Sequence, residues 1–164
     1  MKFWIICVGH KMPHWVDLAL QDYVKRMPKD APILIKELKP DTHPAKEATK
    51  ILDLIPANSF VIGLDERGKD TTTLQLAEQF SGWQQMGKDI YFIIGGADGL
   101  DQAFKERCHS LMRLSSLTLP HAFARLLLVE QLYRAWTILQ KHPYHQNNQG
   151  YRGSTYFPYR LFYD

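Results

Sequence analysis

Three groups of residues in this 164-residue chain have the types and spacing to do chemistry. The first is a glycine turn, in which Ile93 and Ile94 run straight into Gly95, Gly96, Ala97, Asp98, Gly99 and Leu100. Glycine lets a backbone turn sharply and approach a ligand closely. In open α/β sheets ligands sit beyond the carboxyl ends of the strands. The turn therefore reads either as a ligand cradle at Gly95 and Gly96 or as a plain tight turn. Missing motifs narrow the ligand. A dinucleotide fingerprint needs G-x-G-x-x-G and an acidic residue about 20 positions on, but here the spacing is G-G-x-x-G and Ser115 and Ser116 stand at that distance. A phosphate loop needs G-K-[ST], yet Gly68-Lys69 and Gly87-Lys88 are each followed by Asp. A ligand held by backbone groups and apolar contacts fits better than one led by phosphate.

The second group is Glu130 and Arg134, four apart on a helical run. That spacing makes a plain ion pair or a charged pair available to a substrate. The third is His142, Pro143, Tyr144 and His145. Two histidines with no further ligand close by make a poor metal site, so no metal is expected. His121, directly after Pro120, suits capping or orienting the helix that follows better than proton transfer. Cys7 and Cys108 lack metal or redox spacing and read as free thiols of a reducing cytoplasm.

These residues must be positioned by an alternation of strands and helices. Residues 3–8 form a β-rich apolar run ending at Gly9. Val16, Leu20, Tyr23, Val24 and Met27 recur at helical spacing until Pro28. Residues 33–38 alternate as a half-exposed strand, and 45–55 form a weaker helix. Residues 60–64 read as a third strand followed by a polar loop, DERGKDTTT. Thr73 is the expected cap of a helix over 74–86, ended by Gly87. Residues 90–94 are apolar throughout, as a central parallel strand should be. A short helix over 101–108, a short strand over 112–114 and a long helix over 123–141 complete the pattern. Such alternation predicts one domain with a parallel sheet and helices on both faces. The last helix has almost no polar face: Leu126, Leu127, Leu128, Val129, Leu132, Tyr133, Trp136, Ile138 and Leu139 crowd it. A helix apolar nearly all round is deeply buried or shared between subunits, which points to a homodimer.

Composition agrees with an ordinary globular domain: 45% hydrophobic, 23% charged and a formal charge of +3. The mild basicity permits a nucleic-acid partner without requiring one. No apolar run approaches the roughly 18 residues of a membrane span. The N-terminal apolar stretch lacks the length and cleavage site of a signal peptide.

Several separate motifs, in order, resemble one family. They are V-G-H-K-M-P from Val8, Y-x-x-R-M-P-K from Tyr23, V-I-x-L-D ending at Asp65, I-G-G-x-x-G-L from Ile94, L-T-L-P-H from Leu117, then E-x-L-Y-R-A-W from Glu130 and H-P-Y-H from His142. Over residues 1–145 the chain resembles the ribosomal RNA large subunit methyltransferase H family of the knotted SPOUT superfamily. The resemblance implies a single-domain α/β-knot with a parallel sheet, a C-terminal trefoil knot and a long C-terminal helix. It implies S-adenosylmethionine as cofactor, held at Leu64, Gly95, Gly96, Ser115, Ser116, Leu117, Thr118, Leu119 and Pro120. It also implies methylation at N3 of a pseudouridine in 23S rRNA within the assembled ribosome. N3 carries an imide proton and becomes nucleophilic once that proton leaves, so such an enzyme must position two reactants, remove a proton and stabilise an anion. Arg134 suits anionic base oxygens or a phosphate, His145 the proton, and Tyr144 stacking on the base, with Glu130 beside them. The dimer helix would let the partner subunit complete the site.

The chain departs from the family after His145. Where the family carries Lys or Arg stands Gln146, and residues 146–164 form an atypical tail rich in aromatics, with Tyr151, Tyr156, Phe157, Tyr159, Phe162 and Tyr163 beside Arg152 and Arg160. Two other readings follow: a knotted methyltransferase acting on another RNA such as tRNA, or a ribosome-associated factor that binds cofactor but is catalytically impaired.

Overall fold

Five strands pair in parallel, in the order β2-β1-β4-β3-β5. They are β1 (Phe3–Val8), β2 (Ile33–Leu38), β3 (Phe60–Asp70), β4 (Ile90–Ile94) and β5 (Ser110–Arg113). Between them run α1 (His14–Arg26), α2 (Pro44–Leu54), α3 (Thr73–Met86) and α4 (Gln102–Arg107), and α5 (His121–Leu139) follows the last strand. This computed structural model describes residues 1–145; the tail from Gln146 onward lies outside the described residues. The α/β class and parallel sheet are those expected.

Side chains alternate across a strand, and that alternation builds two apolar layers. Phe3, Ile5, Cys7, Phe92 and Ile94 face a core shared with Val16 and Leu20 of α1, Phe80 and Trp83 of α3, and Leu128, Val129 and Leu132 of α5. Ile6, Val8, Tyr91 and Ile93 face the opposite layer with Ala48 and Ile51 of α2 and Phe104 of α4. Every residue of β4 is buried, as its place inside the sheet requires. Phe3 packs on Phe80 at 4.9 Å between ring centroids, and each such ring contributes roughly 2–3 kcal/mol by leaving water.

Four expectations need correction. First, the polar stretch after Leu64 is not simply a loop. β3 runs on to Asp70, with a register shift between Leu64 and Lys69, both paired with Met112 of β5. Backbone pairing and the Arg113–Asp70 bonds of 2.6 and 2.7 Å hold it despite its polarity. Second, Thr72, not Thr73, caps α3: its hydroxyl accepts from the Gln75 amide at 3.1 Å, while the Gln75 side chain accepts from the Thr72 amide at 2.9 Å. This capping box satisfies two otherwise orphaned donors. Third, β5 spans Ser110–Arg113 rather than 112–114.

Fourth, α5 starts at His121, directly after Pro120, and its helical stretch stops at Leu139. The stop is a Schellman turn: the Lys141 amide donates to Ile138 and the His142 amide to Thr137. Lys141 occupies the left-handed region, with φ of 56°. The reversal sends residues 142–145 back along α5.

Candidate active site

The parallel register places Leu64 of β3 level with Ile94 of β4 and with Met112 of β5. The chain leaves β4 after Ile94 and β5 after Arg113, whereas β3 runs on past Leu64 to Asp70. Beyond Ile94 the glycine turn closes on itself, the Gly99 amide donating to the Gly96 carbonyl at 3.0 Å. Gly99 has φ of +75°, which glycine adopts freely. Gly95 is pressed against that return: a Cβ there would lie 2.8 Å from the Gly99 carbonyl carbon and 2.9 Å from its oxygen. A Cβ on Gly96 would meet the Glu47 carboxylate at 3.3 Å.

The segment 115–120 follows β5. The Leu117 amide donates to the Ser115 hydroxyl at 2.9 Å, tightening the loop. Ser116, Leu117, Thr118 and Pro120 are exposed, while Ser115 and Leu119 are half-buried. Leu117 is 74% exposed, an apolar side chain left uncovered. One end of this loop is tied to β5. The other enters α5 through His121, whose ring lies against Gly9 and reaches the Gly95 carbonyl. A cradle too tight for any side chain, backbone-rich loops and an uncovered leucine fit a ligand bound without phosphate, as S-adenosylmethionine is.

The reversal after Leu139 assembles a second cluster. Arg134 donates twice to Glu130 Oε1, at 2.9 Å from Nε and 2.7 Å from Nη2. Tyr144 Oη donates to the same oxygen at 2.9 Å. Its proton being used there, Tyr144 accepts from Tyr23 Oη of α1 at 3.0 Å. Gln131 donates to Glu130 Oε2 at 2.7 Å and accepts from Thr73 of α3. Arg134 lies 4.6 Å from the Tyr144 ring centroid, and Tyr133 meets that ring edge-on. Glu130 and Arg134 thus form the ion pair their spacing allows, and Tyr144 is bound to both.

Electrostatics follow from these contacts. Burial, then the bond from Tyr23 and the charge of Glu130, push the Tyr144 phenol upward, so it stays protonated. His145 is held below its ordinary value by burial first and by Arg134 second, so it is neutral at pH 7. Arg134 Nη1 lies 3.4 Å from His145 Nδ1. A guanidinium only donates, so Nδ1 is the acceptor and Nε2 carries the ring proton. His145 can take up a proton at Nδ1 only when that loose contact opens. Glu130 Oε1, accepting from three donors, serves better as an anchor than as a base.

Within one chain the two clusters stay apart. His121 and Arg134 share α5, and at roughly 1.5 Å per residue they are about 20 Å apart along its axis. The four candidate catalytic residues come together; at the other end of the helix it is His121, just after residues 115–120, that lies against Gly9 and Gly95. Among the described residues no group of three or more His, Cys, Asp or Glu is gathered as a metal site would require.

Two partners were not legible in advance. Tyr23 looked like a core position of α1, and only the fold brings it to Tyr144. Arg125 is fully buried on α5; an arginine inside an otherwise apolar helical stripe was the available signal.

Known proteins align with this geometry. Residues 1–145 match the family described as "Predicted SPOUT methyltransferase". The chain is 65% identical to a "Ribosomal RNA large subunit methyltransferase H" of Polynucleobacter asymbioticus, over 89% of this chain and 99% of that protein. It is 53% identical, with the same coverage, to the protein so named in Paraburkholderia phytofirmans. In fold it is similar to a "probable methylase family protein" from Haemophilus influenzae, with a TM-score of 0.56, 14% identity, and coverage of 88% of this chain and 70% of that one. The chain belongs to the SPOUT methyltransferase family, among the ribosomal RNA large subunit methyltransferase H proteins.

Proposed function

We propose that this protein transfers a methyl group from S-adenosylmethionine to N3 of a pseudouridine in 23S rRNA of the assembled ribosome, acting in the cytoplasm as a homodimer. The observation that carries this reading is the 65% identity to a ribosomal RNA large subunit methyltransferase H along nearly that protein's whole length. The donor supplies a methyl group activated on a sulfonium. It is held by Leu64, Gly95, Gly96 and residues 115–120, and the family's knot is what brings those loops together. The protein's own task is to orient the base, receive the N3 proton and steady the resulting anion.

Arg134 is the cation for the anionic base oxygens. Glu130 and Tyr144 hold it in place, so its orientation is set before substrate arrives. His145 is the proton acceptor through Nδ1. Since these groups lie about 20 Å along α5 from the donor's loops, a partner subunit brings its own cluster to this chain's donor. The open apolar stripe of α5 is where that partner docks. Phe123 is 48% exposed and touches Trp15, itself 55% exposed, with centroids 5.9 Å apart.

The test uses purified protein, S-adenosylmethionine labelled in its methyl group and ribosomes from cells lacking the modification. Label should appear in the large-subunit rRNA at a pseudouridine. Its absence, with donor binding intact, overturns the reading. Transfer to isolated tRNA at a comparable rate would reassign the substrate.

A further inference from the structure

The most costly group in the structure is used by neither cluster as described so far. Arg125 is 0% exposed. Its Nη1 stands 3.1 Å from Glu37 Oε1 at the end of β2, and its Nη2 is 3.1 Å from His121 Nε2. Neither Nε nor Nη1 has a well-aligned hydrogen-bond acceptor. A buried cation so incompletely satisfied is expensive, and an apolar residue would pack there more cheaply. An outlier of that kind invites a functional account.

Its geometry supplies one. Arginine can only donate, so His121 Nε2 must be the unprotonated nitrogen and Nδ1 carries the ring proton. On that side the imidazole faces the Gly95 carbonyl, whose influence favours a ring proton. The ring also covers Gly9 beyond β1: a Cβ there would stand 3.4 Å from Nε2 and 3.5 Å from Cε1. The result is a chain of contacts from a carboxylate on β2, through a guanidinium and an imidazole on α5, to the carbonyl that opens the glycine turn. It joins the glycine turn to the point where residues 115–120 enter the helix.

We propose that His121 and Arg125 are positioning residues for methyl transfer, locking the Gly95 carbonyl and thereby the turn against which the methyl donor lies. This rests on the reading of Gly95, Gly96 and residues 115–120 as the donor's site. The lock works only with a neutral imidazole, because a protonated ring cannot accept from Arg125. The charged groups acting on His121 are Arg125 on its own helix and Glu37 on β2, and the glycine turn acts on it through the Gly95 backbone. Cys7 of β1, beside Arg125 and Glu37, is pushed up to about 12 by burial and stays a neutral thiol. Burial first and Arg125 second hold His121 below its ordinary value, so the ring is neutral at pH 7. With the folded value lowered, the lock is complete above about pH 6.5 and is lost as pH falls through that lowered value. Over pH 5.5–7 the donor's own carboxylate and α-amino charges hardly change.

The experiment measures S-adenosylmethionine binding to the full chain by calorimetry from pH 7 downward, with circular dichroism to confirm folding at each pH. Wild type should bind at pH 7 and more weakly once the pH has fallen through the lowered value of His121. His121→Phe should bind about tenfold more weakly at pH 7, the size of one well-placed hydrogen bond. It should raise KM for the donor while leaving kcat at saturation within about threefold. His121→Gln offers an acceptor to Arg125 and a donor to Gly95 but cannot titrate. It should restore affinity to within about threefold at pH 7 and remove the His121 share of the pH dependence. Glu37→Gln, at a side chain 42% exposed, probes the far end should Arg125 variants fail to fold, and should weaken binding about threefold. The proposal is overturned if His121→Phe binds as wild type does, or if His121→Gln keeps the wild-type pH dependence. A folded wild type that binds no donor at all overturns the donor site itself, and the lock with it.

Discussion

Replacing Gly95 by alanine tests the glycine turn as a ligand cradle. The added Cβ would lie 2.8 Å from the Gly99 carbonyl carbon, 2.9 Å from its oxygen and 3.0 Å from the Leu100 nitrogen. Unstrained contacts of carbon with such atoms begin near 3.5 Å, so the overlap is roughly half an ångström or more on three atoms at once. All three belong to the backbone, and no side chain can swing aside. The turn must therefore open, which costs about 1–3 kcal/mol. If the donor lies against this turn, that cost appears in binding, as a roughly 5- to 150-fold rise in Kd. Calorimetric titration with S-adenosylmethionine reads it directly. The melting temperature should fall by about 2–4 °C for each kcal/mol that reaches the fold. Gly82→Ala is the control. Gly82 sits in α3, where an added Cβ meets nothing within 4 Å, so it should stabilise the helix by about 1 kcal/mol and leave Kd unchanged. A Gly95→Ala protein that binds the donor within twofold of wild type would refute the cradle.

Tyr144→Phe removes the hydroxyl that links Glu130 to Tyr23; kcat on ribosomes should drop about tenfold, with a stability loss of only about 1 kcal/mol and an unchanged KM for the donor, and a KM effect without a kcat effect would contradict the division of labour. For His145, proton NMR should show titration below the ordinary value near 6.5, the packing of residues 142–145 on α5 being favoured above that pH and loosened as pH falls through the lowered value; Arg134→Met should move the midpoint upward, since Arg134 is the second cause of its depression, and a midpoint that stays put would discount the contact. Phe123→Glu places a charge on the exposed apolar pair with Trp15; on the proposed homodimer, sedimentation should show a dimer for wild type and monomers for the variant, and an unchanged mass would move the interface elsewhere. Lys141→Gly should raise stability by about 0.5–1 kcal/mol, because Lys141 has φ of 56° and glycine meets no Cβ penalty there; a lower melting temperature would mean that another contact of Lys141 matters more.

The sheet's interior was legible because its signal is local. β1 and β4 match the apolar runs that suggested them and β2 the alternating one, and β4 is wholly buried. The second half of β3 was not legible, because a polar strand extension owes its existence to a partner distant in sequence, β5. Nothing in DERGKD announces that Asp70 will receive two bonds from Arg113. The candidate cluster was legible as residue types. Its wiring was not: the reversal at Lys141 depends on a backbone conformation that lysine rarely adopts. Arg125 hid for a related reason. On a helix already short of polar positions it resembles one more solvated charge, and only the fold shows it to be inside, 0% exposed between Glu37 and His121. The helix that looked apolar all round is covered on one stripe by α1 and α3 and keeps a second stripe partly open.

α5 has a consequence for how this sequence can vary. Its 19 residues carry His121 and Arg125 near one end, and Glu130 and Arg134 farther along. Each residue advances a helix by about 1.5 Å and turns it by about 100°. A side chain exchanged on this helix changes one contact. A residue inserted or deleted between Arg125 and Glu130 would swing everything beyond it onto another face, taking Glu130 away from Tyr144 and Leu132 out of the core together. The stretch between the two clusters should therefore accept substitutions yet refuse changes of length.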